Sequence, residues 1–277
     1  MAQGISVRWL RKSFGRFRLD GVEAEMPRGY VTAVIGSNGA GKTSLLKCIT
    51  GSYVPDSGVI EFGVPRRYGR IGVMFDECPY PPTMKVSVLS KTMSKVFDDW
   101  DPDEFARLCK GYGIELSSKV GSLSRGRRMS LQAAVMLSHG TDYLVLDEPT
   151  SGMDPEAREE FLAVLRDYVS DDEHTVVISS HMTSDLEKIA DQVVLMIDGR
   201  VVLCEDRISL MEDYGLVRAS DSEKVPEEFV IGSSEGEFGR TVLVKGRKCL
   251  SETIPDIDIG DASLEDIVVY HMRGRRA

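Results

Sequence analysis

The residues best suited to chemistry are Gly36-Ser37-Asn38-Gly39-Ala40-Gly41-Lys42-Thr43, which read G-x-x-x-x-G-K-T. Glycines let a backbone curl until several N–H groups point inward at phosphate oxygens. A helix starting where the curl ends adds its positive dipole end. Lys42 is then placed to reach the β- and γ-phosphates of a nucleotide, and the Thr43 hydroxyl to ligate Mg2+. The flanks suit this geometry. Val31-Thr32-Ala33-Val34-Ile35 has the pattern of a buried strand, and Ser44-Leu45-Leu46-Lys47-Cys48-Ile49 that of a helix.

A phosphate-bound cation needs a second oxygen ligand from the protein. The apolar run Tyr143-Leu144-Val145-Leu146 ends in Asp147, at the carboxyl end of a strand, where ligands bind in open α/β sheets. Its carboxylate is suited to hold Mg2+ directly or through water. Glu148 follows at once. Adjacent carboxylates at a strand end can divide the work, one serving the metal and one polarising an attacking water.

Positioning these groups requires a parallel sheet. Residues 5–10, 17–26 and 59–62 read as short strands, and Ile71-Gly72-Val73-Met74-Phe75 as a buried one. Three strong apolar strands come later, at 143–146, 175–178 and 192–197. Between the first two, Asp154 and Pro155 open a helix with Phe161, Leu162, Leu165 and Tyr168 at helical spacing. Strands alternating with helices predict a mostly parallel sheet covered on both faces. Residues 79–140 carry helical patterns and few strands, as expected of a helical subdomain inserted into that core. After residue 215 the pattern weakens. Residues 220–228 read as a linker, 229–231 and 241–244 as short strands, and 262–270 as a terminal helix.

Composition narrows the class. The chain has 277 residues, enough for one large domain plus an appendage, and an ordinary 42% hydrophobic content. Its formal net charge of −10 argues against a nucleic-acid scaffold. Apolar runs such as Val193-Val194-Leu195-Met196-Ile197 fall far short of the ~20 residues of a membrane span. The first residues lack the apolar centre of a signal peptide, so a cytosolic protein is expected. Cys48, Cys78, Cys109, Cys204 and Cys249 show no metal-ligand spacing and are expected to be reduced thiols.

Asp147-Glu148-Pro149-Thr150-Ser151-Gly152-Met153-Asp154-Pro155 closely resembles the second Walker motif and following D-loop of ABC-type ATPases. The loop from Gly36 to Thr43, with Ser44, is similar to the first. Ile178-Ser179-Ser180-His181 resembles the switch strand and histidine, and Leu123-Ser124-Arg125-Gly126-Arg127 stands where that family has its LSGGQ signature. The motifs follow family order over residues 1–215. The fold implied is α/β, a P-loop NTPase of ABC type. It has a mostly parallel core sheet, an antiparallel β subdomain, a helical insert near 79–140, and a small C-terminal α/β appendage at 216–277.

The resemblance also implies roles. Gly36, Ser37, Asn38, Gly39, Ala40, Gly41, Lys42, Thr43 and Ser44 bind the phosphates of ATP. Thr43 and Asp147 ligate Mg2+, Glu148 is the general base, and His181 contacts the γ-phosphate. Phe14 matches the aromatic that stacks on adenine. Ser124 and Gly126 of one chain meet the nucleotide held by another, in a homodimer or a heterodimer with a second ABC ATPase subunit. Two motifs depart from the pattern. Arg125 and Arg127 replace a glycine and the glutamine of the signature, and Asp76, beside Glu77, occupies the lid position where glutamine is usual and where a carboxylate can contact Mg2+.

The implied activity is ATP hydrolysis coupled to transport. Separate transmembrane permease subunits would dock near 79–100, with the chain peripheral on the cytoplasmic face of the membrane. Ser263-Leu264-Glu265-Asp266-Ile267 resembles tails of exporter-type subunits, which favours export. The alternative is a soluble ABC-type ATPase acting on nucleic acid or the ribosome. Those relatives carry long coiled coils or two ATPase modules, and no nucleic-acid partner is expected here. A small-molecule phosphotransferase would share the loop but not the signature, D-loop and histidine.

Overall fold

The computed structural model describes residues 4–64, 70–75, 77–236 and 239–274. Asp76 lies outside them. The chain begins with a hairpin of β1 (Ile5–Phe14) and β2 (Phe17–Met26). Ile5, Val7 and Leu10 of β1 and Leu19, Val22, Ala24 and Met26 of β2 point inward. Strand β1 runs beyond residue 10 because a bulge resets its alternation: the register shifts between Val7 and Leu10, with Trp9 at φ 53°. The buried strand β3 (Val31–Ile35) leads through the phosphate-type loop into α1 (Lys42–Thr50). Next, β4 (Ser57–Phe62) closes a three-stranded antiparallel sheet in the order β2-β1-β4. β5 (Ile71–Met74) follows.

Three helices then form the insert: α2 (Val86–Met93), α3 (Pro102–Gly111) and α4 (Arg125–Leu137). Asp101 starts α3 by accepting from the amides of Asp103 and Glu104, both at 2.9 Å, with Pro102 in its first turn. The insert has its own core, including Leu89, Phe105, Cys109 and Leu131.

The chain returns to the main sheet with β6 (Tyr143–Asp147), α5 (Pro155–Tyr168), β7 (Thr175–Ser180), α6 (Thr183–Ile189) and β8 (Gln192–Ile197). An antiparallel edge strand, β9 (Arg200–Asp206), was not anticipated. Its turn is Asp198-Gly199, both with positive φ, a known two-residue hairpin signal. The six strands lie in the order β5-β6-β7-β3-β8-β9, all parallel except β9. Their side chains alternate between two cores. Val34, Val145, Val177 and Val194 face α1 and the antiparallel sheet, while Ala33, Leu144, Leu146, Ile178 and Leu195 face α5 and α6.

The C-terminal unit comprises α7 (Arg207–Asp213), β10 (Tyr214–Arg218), β11 (Val230–Gly236), β12 (Gly239–Lys245), α8 (Arg247–Thr253), β13 (Ile259–Asp261) and α9 (Leu264–Gly274). Its strands form an antiparallel sheet, β11-β12-β10-β13. The stretch 220–228 contains 3-10 turns rather than a free linker, with Ser222 buried and Asp221 accepting from the Asp258 amide at 3.3 Å. One face of this sheet has a small core of Val217, Val242, Val244, Leu250 and Ile257. The other, with Leu216, Leu243, Leu264 and Ile267, merges with the core beneath α5 and α6.

Because Ile267 is fully buried in that shared core, Ile267→Ala is expected to destabilise the whole chain by about 2–5 kcal/mol. A chemical-denaturation midpoint reads this loss. The exposed Ile208→Ala is the control and should shift the midpoint little.

Candidate functional site

The sheet order decides what meets what. Strand β7 lies between β3, which feeds the loop, and β6, which ends in the two acids. All three are parallel, so their carboxyl ends share one edge. The loop turns at that edge. Gly41 has φ 107°, a region closed to most side chains, and a Cβ there would lie 2.8 Å from both Phe17 and Leu19. Gly41 also offers α1 no capping side chain, so the leading helix amides face the loop.

Lys42 is 7% exposed and folds over its own loop. Its Nζ donates to the Gly36 carbonyl at 2.8 Å and the Ser37 carbonyl at 3.3 Å, and stands 3.9 Å from Glu148 Oε1. A buried cation, curled backbone and an uncapped helix start make a cradle that fits a polyphosphate. Ala40 is buried, whereas Ser37, Asn38, Gly39 and Thr43 are exposed and Ser44 is half-buried.

Thr43 Oγ1 donates to Asp147 Oδ2 at 2.7 Å, across the position of β7. Asp147 is 5% exposed, and its Oδ1 accepts from Ser179 Oγ at 2.6 Å. A hydroxyl and a carboxylate joined in this way, beside a phosphate cradle, form a donor set of the oxygen type that Mg2+ prefers. Glu148 turns away from the strand with φ 49°. A left-handed conformation costs roughly 1–2 kcal/mol for a residue with a Cβ, and Pro149 already disfavours the right-handed helical region here. The Glu148 amide is held by both the carbonyl and the Oγ of Ser179, each at 3.1 Å. Glu148 Oε2 accepts from the His181 amide at 3.3 Å and lies 2.7 Å from His181 Nδ1. The carboxylate neighbour places the imidazole proton on Nδ1 and turns Nε2 outward.

The structure thus brings Lys42, Thr43, Asp147, Glu148 and His181 together. Phe14 ends β1 half-buried, its ring 5.0 Å from Tyr53 and 6.3 Å from Phe17, which itself lies against Gly41. Ser124 and Gly126 belong to a separate cluster. Ser124 caps α4 by accepting from the Arg127 amide at 3.2 Å. A Cβ at position 126 would stand 2.4 Å from the Gly152 carbonyl, so the helix start and the 151–153 segment touch through backbone. Arg125 adds a bond from Nη2 to Ser151 Oγ at 3.3 Å. Sequence reasoning assigned no part to Ser179 or Ser151. The usable signal for Ser179 was its place in Ile178-Ser179-Ser180-His181, two residues before the histidine.

A groove of about 390 Å³ opens beside the α4 start, lined by Glu77, Tyr80, Pro82, Val120, Arg125 and Met129, among others. Cys78 also lines it, and burial pushes its thiol up, which keeps it protonated and inert at neutral pH. Among the described residues no helix is long and apolar enough to cross a membrane.

The family model described as ABC transporter matches residues 19–151. The lantibiotic transport ATP-binding protein SrtF of Streptococcus pyogenes is 31% identical over 205 residues, covering 72% of this chain and 89% of its own. The phosphonates import ATP-binding protein PhnC 1 of Natronomonas pharaonis is 32% identical over 219 residues, covering 72% and 92%. Among solved structures, the dimeric post-hydrolysis state of the ATP-binding cassette MJ0796, bound to ADP and Pi, superposes with a TM-score of 0.64. It is 18% identical and spans 73% of this chain and 98% of its own, a likeness of fold.

The contact between Gly126 and Gly152 generates a prediction. Gly126→Ala must displace the 151–153 segment, which begins three residues after Glu148. Turnover of nucleoside triphosphate is expected to fall at least about tenfold, since small misplacements near reacting groups are costly. Equilibrium nucleotide binding by one chain should stay within about threefold, because the phosphate cradle is untouched. A coupled-enzyme assay and calorimetry measure the two.

Proposed function

The chain belongs to the ABC transporter family of ATPases, and we propose that it is the ATP-hydrolysing subunit that drives a separate transmembrane permease. One observation carries this reading: Lys42, Thr43, Asp147, Glu148 and His181, from three strand ends, meet at one sheet edge within hydrogen-bond or ion-pair distance. Lys42 and the amides of residues 36–44 hold the phosphates, and Phe14 packs on the adenine. Thr43 and Asp147 hold Mg2+, which when bound neutralises charge developing on the phosphate oxygens. Glu148 Oε2 is engaged by His181, so its Oε1 edge, facing Lys42, accepts the proton of the attacking water. His181 keeps that carboxylate aligned and presents Nε2 toward the γ-phosphate.

The site is completed by a second copy or a related subunit. Ser124 and Gly126 at the start of α4 offer a hydroxyl and a backbone amide to the partner's nucleotide, as a helix N-terminus beside an anion does. The permease docks in the groove beside α4, which places the chain on the cytoplasmic face of the membrane. Export is the direction proposed, on the likeness of residues 263–267 to exporter-type tails. Asp76 is retained as the lid residue in this reading.

Glu148→Gln keeps the size and loses the base. It should bind ATP, turn over at least about 100-fold more slowly, and accumulate as a dimer on size exclusion with ATP. Hydrolysis at the wild-type rate would remove Glu148 from its role. Lys42→Ala should weaken ATP binding at least about tenfold, the scale of a lost charge-assisted bond. Purification from membranes tests the partner: a co-purifying integral membrane protein supports the reading. Hydrolysis stimulated by nucleic acid, with no such protein, overturns it.

A further inference from the structure

Ser179 is fully buried, near the carboxyl end of a strand whose residues are all buried. A hydroxyl there must find both a donor and an acceptor, or its desolvation is uncompensated. Its partners are the two acids of the site. In register it pairs with Asp147 on β6 and with Val34 on β3, so it stands midway between the acids and the root of the phosphate loop. Its Oγ donates to Asp147 Oδ1 at 2.6 Å and accepts from the Glu148 amide at 3.1 Å. Since Thr43 holds Oδ2, both oxygens of Asp147 are fixed from opposite sides. The Glu148 amide it receives is the one at the left-handed turn that aims the second carboxylate toward Lys42 and His181. The next residue, Ser180, does something different: its Oγ accepts from the Met182 amide at 3.0 Å and shapes the turn after the strand.

We propose that Ser179 is a positioning residue for ATP hydrolysis, its hydroxyl orienting the Asp147 carboxylate for the metal and anchoring the Glu148 turn for the attacking water. One side chain thereby sets the relation between the metal-facing and the water-facing acid. This rests on the reading of Asp147 and Glu148 given above. Groups that orient a metal ligand commonly matter about 10- to 100-fold in metal affinity or activity, although they touch neither metal nor substrate.

The test compares Ser179→Ala and Ser179→Cys with the wild type. Cysteine fills the space but is a weak donor. ADP binding is measured by calorimetry with Mg2+ and with a chelator, alongside steady-state ATP hydrolysis and melting temperature. In both variants the Mg2+-free affinity should stay within about twofold, while the gain conferred by Mg2+ shrinks about tenfold. The kcat should fall about tenfold at saturating Mg2+ with the KM for ATP little changed. A Mg2+-dependent gain that survives in Ser179→Ala overturns the proposal. So does a Ser179→Cys protein that behaves as wild type, because volume rather than the hydroxyl would then be what matters. If the alanine protein does not fold, the cysteine protein decides alone. Asp147→Asn is run in parallel: an undiminished Mg2+ effect there means the metal reading of Asp147 is wrong, independently of Ser179.

Discussion

The structure turns on a buried acid at a sheet edge. Asp147 is almost wholly out of water, where a carboxylate is tolerated only if its oxygens are satisfied. Thr43 and Ser179 supply those bonds, one from the helix after the phosphate loop and one from the neighbouring strand. The two bonds tie three strand ends into one rigid corner. Shifting β6 by one residue against β7 would turn Asp147 to the opposite face and leave the acid unpaired among valines and leucines. The pairing Asp147 with Ser179 is therefore a constraint on register as well as a feature of the site.

Around that corner the remaining elements act as walls. The apolar strands are buried on both faces, so the edge they present is held by two cores rather than by the loop itself. The loop can then keep its curled backbone and a folded-over lysine without collapsing. Backbone strain at the site falls on Glu148, which takes a left-handed backbone held by two bonds from its amide to Ser179. A residue held in that way can project a carboxylate beyond the strand, where it meets His181.

Much of this was legible in the residues. Types and spacing alone pointed to Lys42, Thr43, Asp147 and Glu148, because phosphate and Mg2+ chemistry demand few alternatives. The main strands were legible from their apolar runs. Other features were hidden for physical reasons. β9 is half-exposed, and its Val201-Val202-Leu203-Cys204 run together with the Asp198-Gly199 turn was the usable signal. The length of β1 was obscured by the bulge at Trp9, which breaks the two-residue period. Ser179 was seen only as part of a motif, since register between distant strands is not written in local sequence. Ser124 reads from sequence as a contact for a partner's nucleotide; what the structure shows is its bond within the chain, as a helix cap.

The C-terminal unit binds these threads together. Its polar, weakly patterned sequence suggested an appendage joined by a linker, yet α9 packs into the core that also buries Leu186 and Ile189 of α6. Glu187 of α6 accepts from the Leu264 amide at 2.9 Å, at the very start of α9. Helix α6 begins two residues after His181. Displacing α9 would expose Leu264 and Ile267 and remove the support of the helix that follows the histidine. Burial of that kind cannot be lost locally without cost to α6, because both helices fill one close-packed core. The tail thus supports the helix that follows His181 through packing rather than through contact with the site.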